Sequence, residues 1–171
     1  SRKEAHKKDS IETKKLNKKY NDMALAMNVS ILHKEGLKKY LKDEKEKLKE
    51  IVKSIKDGAH KKRIYVLNFN GDIRASAVSS LREEITAILT VATESDEVFV
   101  RLESGGGVVH GYGLGASQLM RVREKNIPLT VSVDKVAASG GYMMACVGSR
   151  ILAAPFSIIG SIGVIAQVPN F

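Results

Sequence analysis

The sequence predicts an α/β fold preceded by a charged helical segment. Three observations carry the prediction. From Arg63 onward, strand-like apolar runs alternate with helix-periodic stretches, the pattern of parallel strands joined by right-handed crossovers. The first third has no proline between residues 1 and 57, and its apolar residues recur at helical intervals. Charge divides the chain at the same place: residues 1–62 hold 19 Lys and Arg against 10 Asp and Glu, whereas residues 63–171 hold 9 of each. The net charge of +9 therefore belongs to the first third, which argues against reading the whole protein as a basic nucleic-acid binder. The expected organisation is a basic helical region over residues 1–62 and an α/β domain over residues 63–171.

Each element follows from its own pattern. Ile11, Leu16, Tyr20, Met23 and Met27 are spaced as one helical stripe, and Leu37, Leu41, Leu48, Ile51, Val52 and Ile55 as another. Two amphipathic helices are expected, interrupted between Asn28 and Gly36. Their apolar stripes are narrow and their opposite faces lysine-rich, so they need a partner or lie in solvent. Asp57-Gly58 is a helix stop, with residues 58–62 as linker. Ile64–Phe69 reads as a strand. Ala77–Thr93 reads as a helix with Leu81, Ile85, Ile88 and Leu89 on one face. A strand over Glu97–Glu103, a helix over His110–Lys125 and a strand over Ile127–Val133 follow.

Residues 151–171 carry no formal charge and are long enough to span a bilayer. Pro155, Gly160, Gly163, Gln167 and Pro169 divide them, so short buried strands are expected instead. The chain opens on Ser1-Arg2-Lys3 without a secretory signal. Its single cysteine, Cys146, excludes an intrachain disulfide and is expected to be a buried core thiol.

The chemistry centres on Ser139, in Ala137-Ala138-Ser139-Gly140-Gly141-Tyr142. It follows the Ile127–Val133 run and precedes an apolar helical stretch, so it reads as the turn between strand and helix. A hydroxyl there meets unpaired N–H groups and the positive end of a helix dipole, and the glycines leave room for a carbonyl. Upstream, Ser104-Gly105-Gly106-Gly107 closes another strand. A glycine N–H from that loop and the N–H of Gly140 are the two donors an oxyanion needs. The glycines lack the Gly-Lys-Ser/Thr ending of a phosphate-binding loop.

A serine needs a base. His6, His33 and His60 fall in the charged region, and His110 starts the helix after the glycine loop. No His, Asp, Glu or Lys follows Ser139, and Arg150 is the sole cation there. Lys135, four residues before Ser139 and next to Asp134, reads as a surface or ion-pairing lysine at a strand end. The residues alone leave a crotonase-like acyl-thioester enzyme open, using the same donors without covalent attack. A non-enzymatic scaffold is also open, with its basic helices on anionic lipid or nucleic acid. Only Tyr20 and Tyr40 could stack on bases in residues 1–57, which favours lipid.

Three ordered motifs then carry a resemblance. Ser104-Gly105-Gly106-Gly107-Val108, Asp134-Lys135-Val136-Ala137-Ala138-Ser139-Gly140-Gly141-Tyr142 and Gly160-Ser161-Ile162-Gly163-Val164 resemble the signal peptide peptidase (protease IV) family. Val109-His110-Gly111-Tyr112-Gly113-Leu114 and the charged N-terminal region are similar to its SohB branch of bacterial inner-membrane proteases. The resemblance implies a ClpP/crotonase-like fold and a serine endopeptidase with a Ser-Lys dyad. It places the nucleophile at Ser139, oxyanion donors at Gly106 and Gly140, and a lysine-orienting serine at Ser161. It implies hydrophobic or membrane-derived peptides as substrates, such as signal peptide remnants, and a homo-oligomer held at the bacterial inner membrane by an N-terminal anchor. No metal, cofactor or nucleic acid is implied. Gly105 stands where the family usually has proline. The family's dyad lysine lies farther past the nucleophile than Phe171, which is 32 residues on. The 171 residues are therefore expected to be a fragment without anchor or base, and nearly inactive.

Overall fold

A computed structural model describes residues 11–56 and 61–163. It divides into two compact units between Lys61 and Lys62. The predicted helix stop and most of the predicted linker lie outside the described residues, as do His6, His60 and residues 164–171.

The first unit is helical. α1 spans Leu16–Ile31 and α2 spans Lys34–Lys56, with the break inside the predicted interval. Leu32 turns to an extended backbone, and His33 joins the two. The side chains of Asn28 and Ser30 bond back to the carbonyls of Ala24 and Ala26, the local competition that weakens a helix near its end. No residue of α1 is buried, and Tyr20, Met23 and Met27 are each more than half exposed. Among the described residues, no helix is long and apolar enough to cross a membrane.

The second unit is an α/β fold, as predicted, built on a wholly parallel sheet. β1 is Ile64–Gly71, α3 Val78–Leu89, β2 Glu97–Ser104, α4 Val109–Glu124 and β3 Leu129–Val133. β4 is Val136–Ala138, α5 Gly140–Ala145, β5 Arg150–Ala153 and β6 Ile158–Gly160. β2 is central. β1 pairs along its whole length, from Ile64 opposite Glu97 to Gly71 opposite Ser104. The other side of β2 is shared: β3 pairs with Val98–Arg101 and β4 pairs at Ser104.

The strand entering the Ser139 turn is therefore β4, not the Ile127–Val133 run. Asp134-Lys135 interrupts the path, because two exposed charged side chains cannot continue a strand whose five residues are all buried. Lys135 instead reaches Glu103 of β2 with its Nζ at 3.0 Å. β5 then extends beside β3 and β6 beside β4.

The core joins the sheet to one stripe from each long helix. Phe69, Val98, Val100, Leu102, Val131 and Val133 meet Leu81 and Ile85 of α3 and Tyr112, Leu119 and Val122 of α4. The predicted α3 face is the buried one. A carboxylate locks the start of β1: Asp96, wholly buried, receives Nη2 of Arg63 at 2.6 Å, its Nε at 3.0 Å and the backbone N–H groups of Arg63 and Thr93. The Arg63 hydrogen bonds hold this carboxyl well below the usual carboxylate range, against the opposing effect of burial.

Two further expectations need correction. Residues 151–163 do form short strands, but exposed ones: Leu152 is 46 % and Ile158 64 % exposed, and Phe156 between them 98 %. β5 and β6 end the sheet order, so each pairs along one edge. Among the described residues, their outer faces are uncovered. Cys146 is exposed rather than buried, because it caps the C-terminal end of the short α5 instead of lying on the face packed against α4.

Candidate active site

Ser139 occupies the turn between β4 and α5, half-buried, with φ 50° and ψ −117°. A residue with a Cβ adopts this backbone only where its surroundings impose it, at a cost of about 1–3 kcal/mol. Three constraints impose it here. The Ser139 N–H donates to the carbonyl of Gly160 at 2.8 Å, and its own carbonyl accepts the N–H of Met143 at 2.9 Å. The residues behind it pack without clearance: a Cβ on Gly140 would strike the Tyr112 ring, and one on Gly141 would lie 2.7 Å from the carbonyl oxygen of Ser104. The strained conformation places Ser139 between the end of β4 and the first turn of α5.

The glycine loop closes on the same point. Gly106 has φ 88°, and a Cβ there would lie 2.7 Å from Ser139 Cβ and 2.9 Å from the nitrogen of Gly140. Only glycine fits that contact and that backbone. The structure thus brings together Ser139, Gly106 and Gly140, 34 residues apart in sequence at the widest. Beside Gly106 opens a groove of about 550 Å³ lined by Gly71, Asp72, Ile73, Arg74, Gly105 and Gly106. Val108 N–H donates to the Ile73 carbonyl at 2.9 Å and ties the two walls together. The Asp72 carboxyl is held below its ordinary value, first by the hydroxyl of Ser76 at 2.6 Å and then by its N–H. A Cβ at Gly105 would meet nothing within 4 Å, so packing at that atom does not require glycine there.

The other candidates lie elsewhere or differently. Ser161, at φ 53°, directly follows the Gly160 carbonyl that holds Ser139, so a serine 22 residues on is placed beside the turn. Lys135 has both carboxylate oxygens of Glu103 on its Nζ, at 3.0 and 3.1 Å, and is exposed. His110 is exposed on the first turn of α4, and among the described residues no hydrogen bond joins it to Ser139. His33 sits exposed between α1 and α2.

Sequence reasoning missed a buried set of hydroxyls behind the loop. Ser104 Oγ and Tyr112 Oη lie 2.6 Å apart, Gly106 N–H donates to Ser104 Oγ at 3.1 Å, and Tyr112 Oη donates to the Asp72 carbonyl at 2.7 Å. The available signal was a tyrosine between Gly111 and Gly113 in a helix otherwise short of aromatics, which does not by itself say where its hydroxyl goes.

Comparison with known proteins places these features in context. The model for the N-terminal part of peptidase family S49 matches residues 1–119, and the model for peptidase family S49 itself matches residues 121–171. A probable protease, SohB, of Haemophilus influenzae is 51% identical over 171 residues, which is 94% of this chain and 48% of that protein. A probable protease SohB of Buchnera aphidicola is 72% identical over 108 residues, 63% of this chain and 35% of its own length. The chain thus spans between about a third and a half of the length of these relatives. A solved structure of a membrane-bound stomatin-specific protease with a substrate peptide is 23% identical, covers 58% of this chain and 45% of its own, and has a TM-score of 0.49.

Proposed function

Because the chain belongs to peptidase family S49, and is a peptidase on that ground, we propose that Ser139 is its nucleophile and that the groove beside Gly106 receives the peptide. The observation that carries this reading is the convergence at Ser139: a strained serine, a positive-φ glycine against its Cβ, and the N–H at the head of α5. Attack of Ser139 Oγ on the scissile carbonyl forms a C–O bond and an oxyanion. In this reading the N–H groups of Gly106 and Gly140, from two chain segments that the fold brings together, are the donors for that charge. The hydroxyl proton passes to a base and then to the leaving amine.

In this reading the base is the lysine of a Ser-Lys dyad, held by Ser161. Lys135 is poorly suited, because its side chain is exposed and paired with Glu103 rather than directed to Ser139 in a desolvated pocket. A neutral amine at working pH needs a desolvated lysine, and none follows Ser139 in the 171 residues. The 171 residues alone are therefore expected to hydrolyse peptides very slowly. The basic helical region over residues 1–62 and the peptidase domain over residues 63–171 act as separate parts, the first drawing the protein to anionic lipid. Substrates are hydrophobic or membrane-derived peptides, cleaved by a homo-oligomer at the bacterial inner membrane.

The decisive experiment is Ser139→Ala in the protein at full length, with peptide hydrolysis and fluorophosphonate labelling as readouts. Hydrolysis is expected to fall at least about a thousandfold and labelling to vanish. Retention of either in the folded variant would remove Ser139 from the mechanism.

A further inference from the structure

The buried hydroxyls behind the glycine loop form a chain whose direction is settled. The Asp72 carbonyl can only accept, so Tyr112 Oη spends its proton there, at 2.7 Å. Between Tyr112 and Ser104, 2.6 Å apart, Ser104 must then be the donor. Ser104 Oγ in turn accepts the N–H of Gly106 at 3.1 Å. The chain runs from the Gly106 amide through Ser104 and Tyr112 to Asp72, with both hydroxyl side chains buried. Such a chain is satisfied at every link and polarises along its length, which stiffens it.

Tyr112 also touches the other oxyanion limb. Its ring lies so close beneath Gly140 that any Cβ there would collide with it. One side chain therefore bears on both donors, through its ring on Gly140 and through Ser104 on Gly106. Gly71 is required by the same arrangement, since a Cβ at that position would fall onto both hydroxyls. The loop itself offers little stiffness: Gly105, Gly106 and Gly107 follow one another without a proline.

Resting on the reading of Ser139 as nucleophile, we propose that Tyr112 and Ser104 are positioning residues that hold the Gly106 amide in register with Gly140. Neither touches substrate. The partner of the amide is a neutral hydroxyl at 3.1 Å, a weaker acceptor than a developing oxyanion. The amide keeps this bond while the oxyanion joins as a second, charged acceptor on the same N–H, so the chain still fixes the peptide plane in the transition state. An oxyanion donor works only if its position is set in advance, so loosening this chain weakens transition-state binding more than substrate binding.

The test uses Tyr112→Phe, Ser104→Ala and the double variant in the full-length protein, with Ser139→Ala alongside. Removing an oxyanion donor outright costs about a hundred- to a thousandfold in kcat, and releasing its support is expected to cost about tenfold. KM should stay within about twofold, and affinity for a peptide aldehyde should fall in step with kcat. Ser139 Oγ bonds to the aldehyde carbon as the C=O π bond breaks, the hydroxyl proton passes to the base, and the former carbonyl oxygen sits between the donors. The double variant should be no worse than Ser104→Ala alone, because both act through one amide. The Gly106 amide resonance should also move in Tyr112→Phe, a readout that needs no turnover. Unchanged kcat, aldehyde affinity and amide resonance in variants that melt cooperatively would overturn the proposal, as would a loss confined to KM. Wild-type turnover by Ser139→Ala would instead defeat the reading of the nucleophile.

Discussion

The helical unit and the α/β unit both carry periodic apolar stripes, yet only one of them buries its stripe. Val78, Leu81, Ile85 and Ile88 of α3 are each at most 9 % exposed, whereas Tyr20, Met23 and Met27 of α1 and Leu48 and Val52 of α2 are all more than half exposed. The difference is not one of helix propensity. α2 is the longest helix described, rich in the lysine, glutamate and leucine that favour helix. What separates the two is a surface to pack on: α3 lies against a parallel sheet, whereas no residue of α1 is buried and much of the α2 stripe is exposed. Periodicity reports which face of a helix is apolar; it does not report what covers that face.

The sharpest way to break this comparison is to truncate one residue on each stripe. Ile85→Ala is expected to destabilise the α/β unit by about 3 kcal/mol or more, from lost burial and the cavity left behind. Leu48→Ala is expected to change stability by no more than about 0.5 kcal/mol. Urea unfolding followed by circular dichroism measures both. An equal cost at the two positions would show that the α2 stripe is as well packed in solution as the α3 stripe.

A second expectation concerns the lock at the start of β1. Asp96→Asn should cost about 2 kcal/mol at neutral pH, because the Arg63 fork and two backbone N–H groups lose their charged acceptor. The folded state depresses the Asp96 pKa, so its contribution is complete above the unfolded carboxylate value of about 3.9 and fades as pH falls toward the folded value. The gap between wild type and variant should therefore narrow below about pH 4. A gap that stays constant from neutral pH into strong acid would show that the charge is not the source of the effect. No residue of the helical unit offers such a buried ion pair among the described residues.

The smallest effect is a gain. Ser139→Gly relieves the positive-φ backbone, and after the added freedom of the unfolded chain the net stabilisation is expected to be about 1 kcal/mol. Peptide hydrolysis should disappear in the same variant. A lower melting temperature for Ser139→Gly would show that the side chain's contacts outweigh the strain. In this comparison the site is the place where the well-packed unit gives up stability for geometry.

Much of this was legible in the sequence. The strand and helix order of the second unit, the break between the two N-terminal helices, the α3 face and the turn that holds Ser139-Gly140 follow from local pattern, because periodicity, glycine placement and turn chemistry are written in consecutive residues; the choice of Gly106 within its loop came from the family resemblance. The division of β3 from β4 was not. Its cause is the pair Asp134-Lys135 at the end of a strand buried at all five residues, and that burial on both faces is set by the layers around β3 and not by the strand's own residues. The exposure of Cys146 and of Phe156 was hidden for a related reason, since apolar character does not say whether another layer lies above.

What the sequence determined by itself was the α/β class, the placing of the net positive charge in the first third, and the choice of serine and glycine at the turns. These depend on interactions within a few residues, which any window of the chain contains. What only the tertiary structure decided was the company those residues keep. Gly106 against Ser139 Cβ, the Gly160 carbonyl on the Ser139 N–H, and Tyr112 beneath Gly140 all join segments from different strands and helices. Such contacts exist once the sheet has set its register, because a hydrogen bond or a missing Cβ acts over a few ångströms and the chain must first bring its partners that close.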